Sequence, residues 1–354
     1  MYINRCNSKI YILTVCLVLN LLSLTACRLE PSPPPVIDQQ PVSTSAFSAT
    51  PLAPATHTPT TIPAYTPTPT FLPTPVPTFA IQKLGTIELD IPYCATEATI
   101  SLKADVRTMD IRYPSSLGPW PVIIYLHGGS WYQGDKSESA GWHFLTGADF
   151  LVVSVNYRLA DGQVKFPKMI QDIKCAVRDL RANAVHYNLD PQRMAVIGWS
   201  AGAHLAGLLA TADESAGWDV GAYLDQSSRV QAVVSIAGIA DLSGEMGQAL
   251  ADDITFAFGQ PGGISSPELT IASPVTYISP DDPPFFIIHG TLDEVVRFEQ
   301  SEILYARLIE AGVPSSFLMV KNAYHSLRGP EASMSRFDIK MLVYAFLVER
   351  LGEP

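Results

Sequence analysis

An apolar run, Met194 to Ile197, meets a helix-like run, Ala201 to Ala212, across the five residues Gly198-Trp199-Ser200-Ala201-Gly202. The string G-x-S-x-G is weak alone, but at a strand-to-helix turn it restricts sharply what the chain can fold into. Its glycines let a helix pack close against the strand it follows. The turn lifts the Ser200 hydroxyl out at the strand end, in front of a helix N-terminus that favours negative charge. The bland alternative is a glycine-rich turn without chemistry. Either way, the frame that supplies such turns is a parallel sheet covered by helices.

The rest of the chain repeats that frame. Pro121 to Leu126, Leu151 to Val155, Val230 to Ile236, Phe285 to Ile288 and Ser316 to Val320 are further short apolar runs bounded by Gly, Pro or Asp, and they read as buried strands. Helical periodicity follows Phe166, follows Ser200, and runs from Phe298 to Ala311, where Gly312 and Pro314 stop it. Ile87 to Arg112 is expected to supply antiparallel strands that open the sheet. One α/β domain over residues 81–354 is the expected architecture.

Two more segments sit where strand ends place side chains at such a serine. Tyr125-Leu126-His127-Gly128-Gly129-Ser130-Trp131 follows a strand, and its glycines allow backbone N–H groups to approach an oxygen. Donors from Gly128 or Gly129, with the N–H of Ala201, form an oxyanion hole, each donor contributing roughly 3 to 4 kcal/mol in comparable sites. His127 precedes the glycines and is expected to brace the loop. In chain order a serine, an acid and a histidine follow one another: Ser200, then Asp293 in His289-Gly290-Thr291-Leu292-Asp293, then His325 in Asn322-Ala323-Tyr324-His325. His325 is the expected base and Asp293 the group that orients it. Asp241 and Glu294 are the other carboxylates the order allows, and His204 and His289 are expected to be structural. The seven histidines include no H-E-x-x-H and there is no Walker-type glycine loop, so neither a metal nor another cofactor is expected.

The first 80 residues are of a different kind. Arg5 and Lys9 precede an apolar stretch, Ile10 to Leu24, that is short for a membrane span, and Leu24-Thr25-Ala26-Cys27 follows. The tetrapeptide resembles a bacterial lipobox, which implies cleavage after residue 26, acylation of Cys27 and an extracytoplasmic, membrane-anchored protein on either the periplasmic or the outer side. A plain cleaved signal or an uncleaved anchor is the alternative, and it also places the body outside the cytoplasm. Cleavage moves the formal charge from -11 to -13, so attachment falls to lipid chains at about 0.8 kcal/mol per buried methylene and not to electrostatics. Residues 27–80, rich in Pro, Thr, Ser and Ala, have no helical or strand period and read as a disordered stalk that can reach on the order of 100 Å. The acidic balance and the absence of a Lys/Arg cluster in the sequence argue against a nucleic-acid partner.

Of the five cysteines, Cys6 and Cys16 leave with the leader and Cys27 is acylated, which leaves Cys94 and Cys175 in an oxidising compartment, either bonded or free. Cys175 falls beside Asp172 and Asp179, off the apolar stripe of its helix, and is expected to face the surface.

From about Lys103 onward the chain resembles the esterase and lipase group of α/β hydrolases, which includes carboxylesterases, acetyl-xylan or feruloyl esterase-like proteins and kynurenine formamidase relatives. The resemblance rests on Met109 to Pro114, His127-Gly128-Gly129 with Trp131, Asn156-Tyr157-Arg158-Leu159, Gly198 to Ala206, His289-Gly290-Thr291 with Asp293, and His325. It implies the α/β-hydrolase fold and hydrolysis of small-molecule or polysaccharide esters through an acyl-enzyme, without a cofactor. Tyr157 and Arg158 are expected to be structural. Ser130 stands where some relatives carry a third glycine, and Ala203 where many have glycine. A serine peptidase or amidase on the same fold is the second reading, and a catalytically inactive binding module the third.

Overall fold

The strands Trp120–Leu126, Leu151–Val155, Ala232–Ile236 and Phe285–Gly290 are buried along their whole length. A strand covered on both faces has no solvent side for polar residues, so in sequence it is an unbroken apolar run. The computed structural model describes residues 83–94, 107–244, 248–260 and 265–354. The leader, Cys27 and the Pro/Thr-rich tract up to residue 80 lie outside the described residues.

In chain order the elements are β1 (Ile87–Pro92), β2 (Thr108–Arg112), β3 (Trp120–Leu126), a 3-10 stretch (Lys136–Ala148), β4 (Leu151–Val155), α1 (Lys168–Ala182), α2 (Ala184–Tyr187), β5 (Leu189–Trp199), α3 (Ala201–Thr211), β6 (Ala232–Ile236), α4 (Gln248–Phe258), α5 (Pro267–Ile271), β7 (Phe285–Gly290), α6 (Glu299–Glu310), β8 (Ser315–Val320) and α7 (Arg336–Leu351). The strands form one sheet in the order β1-β2-β4-β3-β5-β6-β7-β8. β2 pairs antiparallel with both β1 and β4, and the remaining neighbours are parallel. The expected antiparallel opening and mainly parallel body are both present.

Alternate residues of each strand feed two cores, as the two-residue repeat of a strand requires. Val122, Ile124, Val153, Val196 and Ile287 pack on one face with α1, α3 and α6, which contribute Ile173, Val177, Leu205, Leu208 and Leu304. Ile123, Val152, Ile197, Val234 and Ile288 pack on the other with the 3-10 stretch and α7. α7 was not anticipated from the sequence. Its signal is nonetheless there: Ser335 and Asp338 form a reciprocal capping box, and Ile339, Val343, Phe346, Leu347 and Leu351 recur at helical spacing and are buried.

One expectation is corrected. Cys175 does not face the surface: it is buried, and so are Asp172 and Asp179 beside it. The polar side of α1 is covered because its charges are met there. Lys174 and Arg178 pair with Asp219 at 2.8 and 2.5 Å, Arg158 pairs with Asp172 at 2.6 Å, and Asp179 accepts the Cys94 N–H at 2.8 Å. Cys94 and Cys175 are joined in a disulfide with Cα atoms 6.2 Å apart, across 81 positions of sequence. A cross-link of that span removes on the order of 4 kcal/mol of loop entropy from the unfolded chain.

Candidate active site

Parallel strands all end on the same edge of a sheet, so the loops after β3, β5, β7 and β8 meet there. Ser200 follows β5 directly with φ 55° and ψ -119°, a left-handed backbone unusual for a side chain larger than glycine. Bonds on both sides hold it: its N–H donates to the Ile236 carbonyl at 2.8 Å, and its carbonyl accepts the N–H groups of Ala203 and His204. The flanking glycines are there for space. A Cβ at Gly198 would collide with the Gly202 carbonyl, and one at Gly202 would collide with the carbonyls of Leu126 and His127. Close approach of α3 to both β5 and the β3 loop therefore depends on glycine at both positions.

Ala201 opens α3, where the first amides have no acceptor within the helix. The β3 loop reaches the same place: a Cβ on Gly128 would lie 3.4 Å from Ser200 Cβ and 3.5 Å from the Trp199 ring. Its peptide planes are pinned by their carbonyls. The Tyr157 hydroxyl donates to the His127 carbonyl at 2.9 Å, and His127 Nδ1 donates to the Gly128 carbonyl at 2.8 Å. A trans peptide is planar with C=O and N–H opposed, so fixing the oxygens of His127 and Gly128 fixes where the N–H groups of Gly128 and Gly129 point. The His127 and Tyr157 rings stack at 4.4 Å, and burial pushes the imidazole below its ordinary value, which keeps it neutral. Gly129, Ser130 and Trp131 are consecutive positive-φ residues, so Ser130 occupies the backbone that a third glycine takes in some relatives.

Asp293 and His325 leave the ends of β7 and β8. Asp293 Oδ2 accepts His325 Nδ1 at 2.7 Å and His289 Nε2 at 3.0 Å, while Oδ1 accepts the N–H groups of Val295 and Val296. Burial works to raise its pKa, but the bonds from His289 and His325 outweigh it and hold the carboxyl well below the usual range. The His325 side chain is 18% exposed, and Ser200 is 8% exposed, so both remain reachable. Trp199, next to Ser200 in sequence, stands edge-on to His325 at 6.5 Å.

The rivals lie elsewhere. Asp241 caps its own turn through Ser243, and Glu294 accepts the His325 backbone N–H at 3.3 Å, leaving Asp293 as the carboxylate on the imidazole. His204 is buried, with Nδ1 accepting Trp131 Nε1–H and Nε2–H donating to the Ala272 carbonyl. His289 was expected to be structural, and sequence reasoning missed that it is the second donor to Asp293; its Nδ1 accepts the Ser301 hydroxyl. Among the described residues there is no group of three His, Cys, Asp or Glu side chains that could hold a metal. A cavity of about 820 Å³ opens at the opposite, N-terminal edge of the sheet, but Arg181 and Arg229 in its wall are bonded to carbonyls and to Asp281.

The chain is 30% identical over 212 residues to Esterase LipQ of Mycobacterium tuberculosis, a match covering 58% of this chain and 50% of that one. It thus spans about half the length of that relative, and of two further M. tuberculosis relatives, LipM and LipC. Among solved structures it is similar to a truncated carbohydrate esterase from gut microbiota, at 26% identity and a TM-score of 0.61 over 76% of this chain and 97% of that one. It is also similar to a bifunctional GH43-CE protein of Bacteroides eggerthii, at 30% identity and a TM-score of 0.64 over 75% and 38% of the two chains. These likenesses fit the α/β-hydrolase fold described above. The BD-FAE family profile matches residues 109–308, more than half of the 354-residue sequence, and the chain belongs to that family.

Proposed function

We propose that the protein is a serine-dependent carboxylic ester hydrolase that works through an acyl-enzyme on short-chain or carbohydrate-linked acyl esters. The observation that carries this reading is the 2.7 Å bond from His325 to a carboxylate with four donors, at the sheet edge where Ser200 is lifted out in a positive-φ turn. In the proposed reaction Ser200 Oγ attacks the ester carbonyl carbon and its proton passes to His325 Nε2. Asp293 fixes the tautomer and stabilises the imidazolium. The N–H groups of Gly128, Gly129 and Ala201 receive the oxyanion. Collapse expels the alcohol with the proton from His325, and water, deprotonated by the same imidazole, then releases the acid and restores Ser200. The esterase names of the relatives support ester chemistry, and the carbohydrate-esterase neighbours support a sugar-borne acyl group.

The full chain should hydrolyse p-nitrophenyl acetate and take up a fluorophosphonate label, and Ser200→Ala should lose both while keeping its circular dichroism spectrum. Undiminished turnover in Ser200→Ala would remove the proposed nucleophile. Turnover of aminoacyl p-nitroanilides with no ester turnover would replace the reading by a peptidase.

We further propose, from the lipobox-like Leu24-Thr25-Ala26-Cys27, that the body lies outside the cytoplasm, held to a membrane by lipid on Cys27. The disulfide between Cys94 and Cys175 supports an oxidising compartment. Expressed in a bacterial host, the chain should incorporate labelled palmitate and Cys27→Ser should not; equal labelling of the two would place the anchor elsewhere.

A further inference from the structure

Beside the site, positive charge gathers that no carboxylate among the described residues meets in an ion pair. Arg336, the first residue of α7, holds its guanidinium carbon 5.7 Å from the centre of the Trp199 ring. That ring reaches from the β3 loop, at Gly128, to His325, so Arg336 stands one side chain away from the catalytic imidazole proposed above. Lys340 follows one helical turn later on the same face. Its Nζ lies 5.7 Å from the Phe144 ring, and Arg336 Nη2 and Lys340 Nζ converge on Gly141, each about 4 Å from where a Cβ would stand. Arg328 contributes a third charge: burial and then Arg328 push Arg336 below its ordinary value, while burial and then Arg336 do the same to Lys340. Among the described residues none of the three forms an ion pair with a carboxylate, whereas the charges of Lys136, Lys174, Arg158 and Arg178 are all so met. Arg336 and Lys340 are half-buried, so a carboxylate brought there by a ligand would be screened less than at a fully exposed pair.

We propose that Arg336 and Lys340 form a subsite for a carboxylate on the alcohol part of the substrate, so that the preferred esters are acyl groups on a carbohydrate bearing a uronic acid. The inference rests on the serine-hydrolase reading for its position. His325 returns its proton to the leaving alcohol, and Trp199, which carries Arg336 over its ring, stands edge-on to His325, so the cations are assigned to the leaving group and not to the acyl group. Trp199 and Phe144 are half-buried aromatic faces against which the apolar C–H face of a sugar can lie, while the guanidinium takes its carboxylate in a bidentate pair. A Cβ at position 141 would touch both cations at ordinary contact distance, so glycine there keeps a side chain from lying against them.

The test compares acetylated xylo-oligosaccharides of matched length with and without a glucuronic acid branch, using the full chain, Arg336→Gln and the double variant Arg336→Gln/Lys340→Gln. The wild type should favour the acidic substrate about tenfold in kcat/KM, mainly through KM, at low ionic strength. The preference should shrink in 0.5 M NaCl and fall towards one in the double variant. A wild-type ratio near one, or a ratio indifferent to both substitutions, overturns the subsite. A preference for p-nitrophenyl hemisuccinate over p-nitrophenyl butyrate as large as that for the glucuronate branch overturns its placement on the alcohol side. Calorimetric titration of full-chain Ser200→Ala with the same two oligosaccharides reads binding without turnover. Tighter binding of the acidic one in an inactive wild type would sink the hydrolase reading and keep the subsite; equal binding beside active turnover would do the reverse.

Discussion

The two sides of the site are held by opposite means. On the β3 side, the loop from His127 to Gly134 is fixed by uncharged groups: a neutral imidazole and a phenol hold two backbone carbonyls, and His204 takes the Trp131 indole N–H. On the β7 and β8 side, a buried carboxylate with four donors holds the imidazole. The first arrangement aims backbone dipoles and the second aims a proton carrier. Geometry fixed by neutral bonds degrades in steps of one hydrogen bond, whereas a tautomer fixed by charge fails as a whole. The largest effect is therefore expected at Asp293. In Asp293→Asn the carboxamide can present an N–H to His325 and turn the imidazole to the wrong tautomer, so kcat on p-nitrophenyl acetate should fall on the order of 10⁴-fold with KM little changed. A loss below about tenfold would place the orienting acid elsewhere, with Glu294 next to be substituted.

The neutral side should give way more gently. Tyr157→Phe leaves the His127 carbonyl without its hydroxyl donor in a buried setting, at a stability cost of about 1 to 3 kcal/mol. The Gly128 N–H then loses its aim, and kcat should fall about tenfold while KM and the pH profile stay as in the wild type, because the phenyl ring stays stacked on His127 and neither Asp293 nor His325 is touched. If the pH profile moves with kcat, Tyr157 acts on the imidazole of His325 or His127 and the proposed division between the two sides is wrong.

What could be read from the sequence follows the same division between local and non-local causes. Most parallel strands were legible because burial on both faces leaves an apolar run, and Ser200 and Asp293 stood out as candidates because each stands just past such a run, whereas His325 follows β8, of which only Val320 is buried. The Asp293–His289 bond was not, since His289 lies inside β7 and meets its partner only where the strand ends and the chain doubles back. The burial of Cys175 was misread for a related reason: periodicity reports which side of α1 is polar, and not that residues near Asp219 come to lie on it. Tyr157 braces a loop 30 positions earlier in the chain, a distance over which no local pattern carries information.

The smallest effect, and the one that sharpens the comparison most, concerns acid. His204, fully buried beneath Trp131, is pushed down by burial to about 4, so the folded protein resists protonating it. An unfolded histidine takes up its proton near 6.5, and the stability contributed by a depressed histidine is complete above that value and drains away as pH falls from about 6.5 to about 4, by roughly 3 kcal/mol in all. His127, also depressed by burial, adds to the loss in the same direction. Asp293 behaves otherwise. Its carboxyl is held well below the usual range, so its contribution is present above the ordinary carboxylate value near 4 and is lost only as pH falls on through its own lower value. Of the two sides of the site, the neutral one should then carry the decline in stability between pH 6.5 and 4.5. Urea midpoints across this window should fall less steeply in His204→Gln than in the wild type, whereas Asp293→Asn should keep the wild-type slope. If Asp293→Asn flattens the curve and His204→Gln does not, charge on the β7 side governs acid sensitivity, and the two sides of the site are not separable in the way their hydrogen bonds indicate.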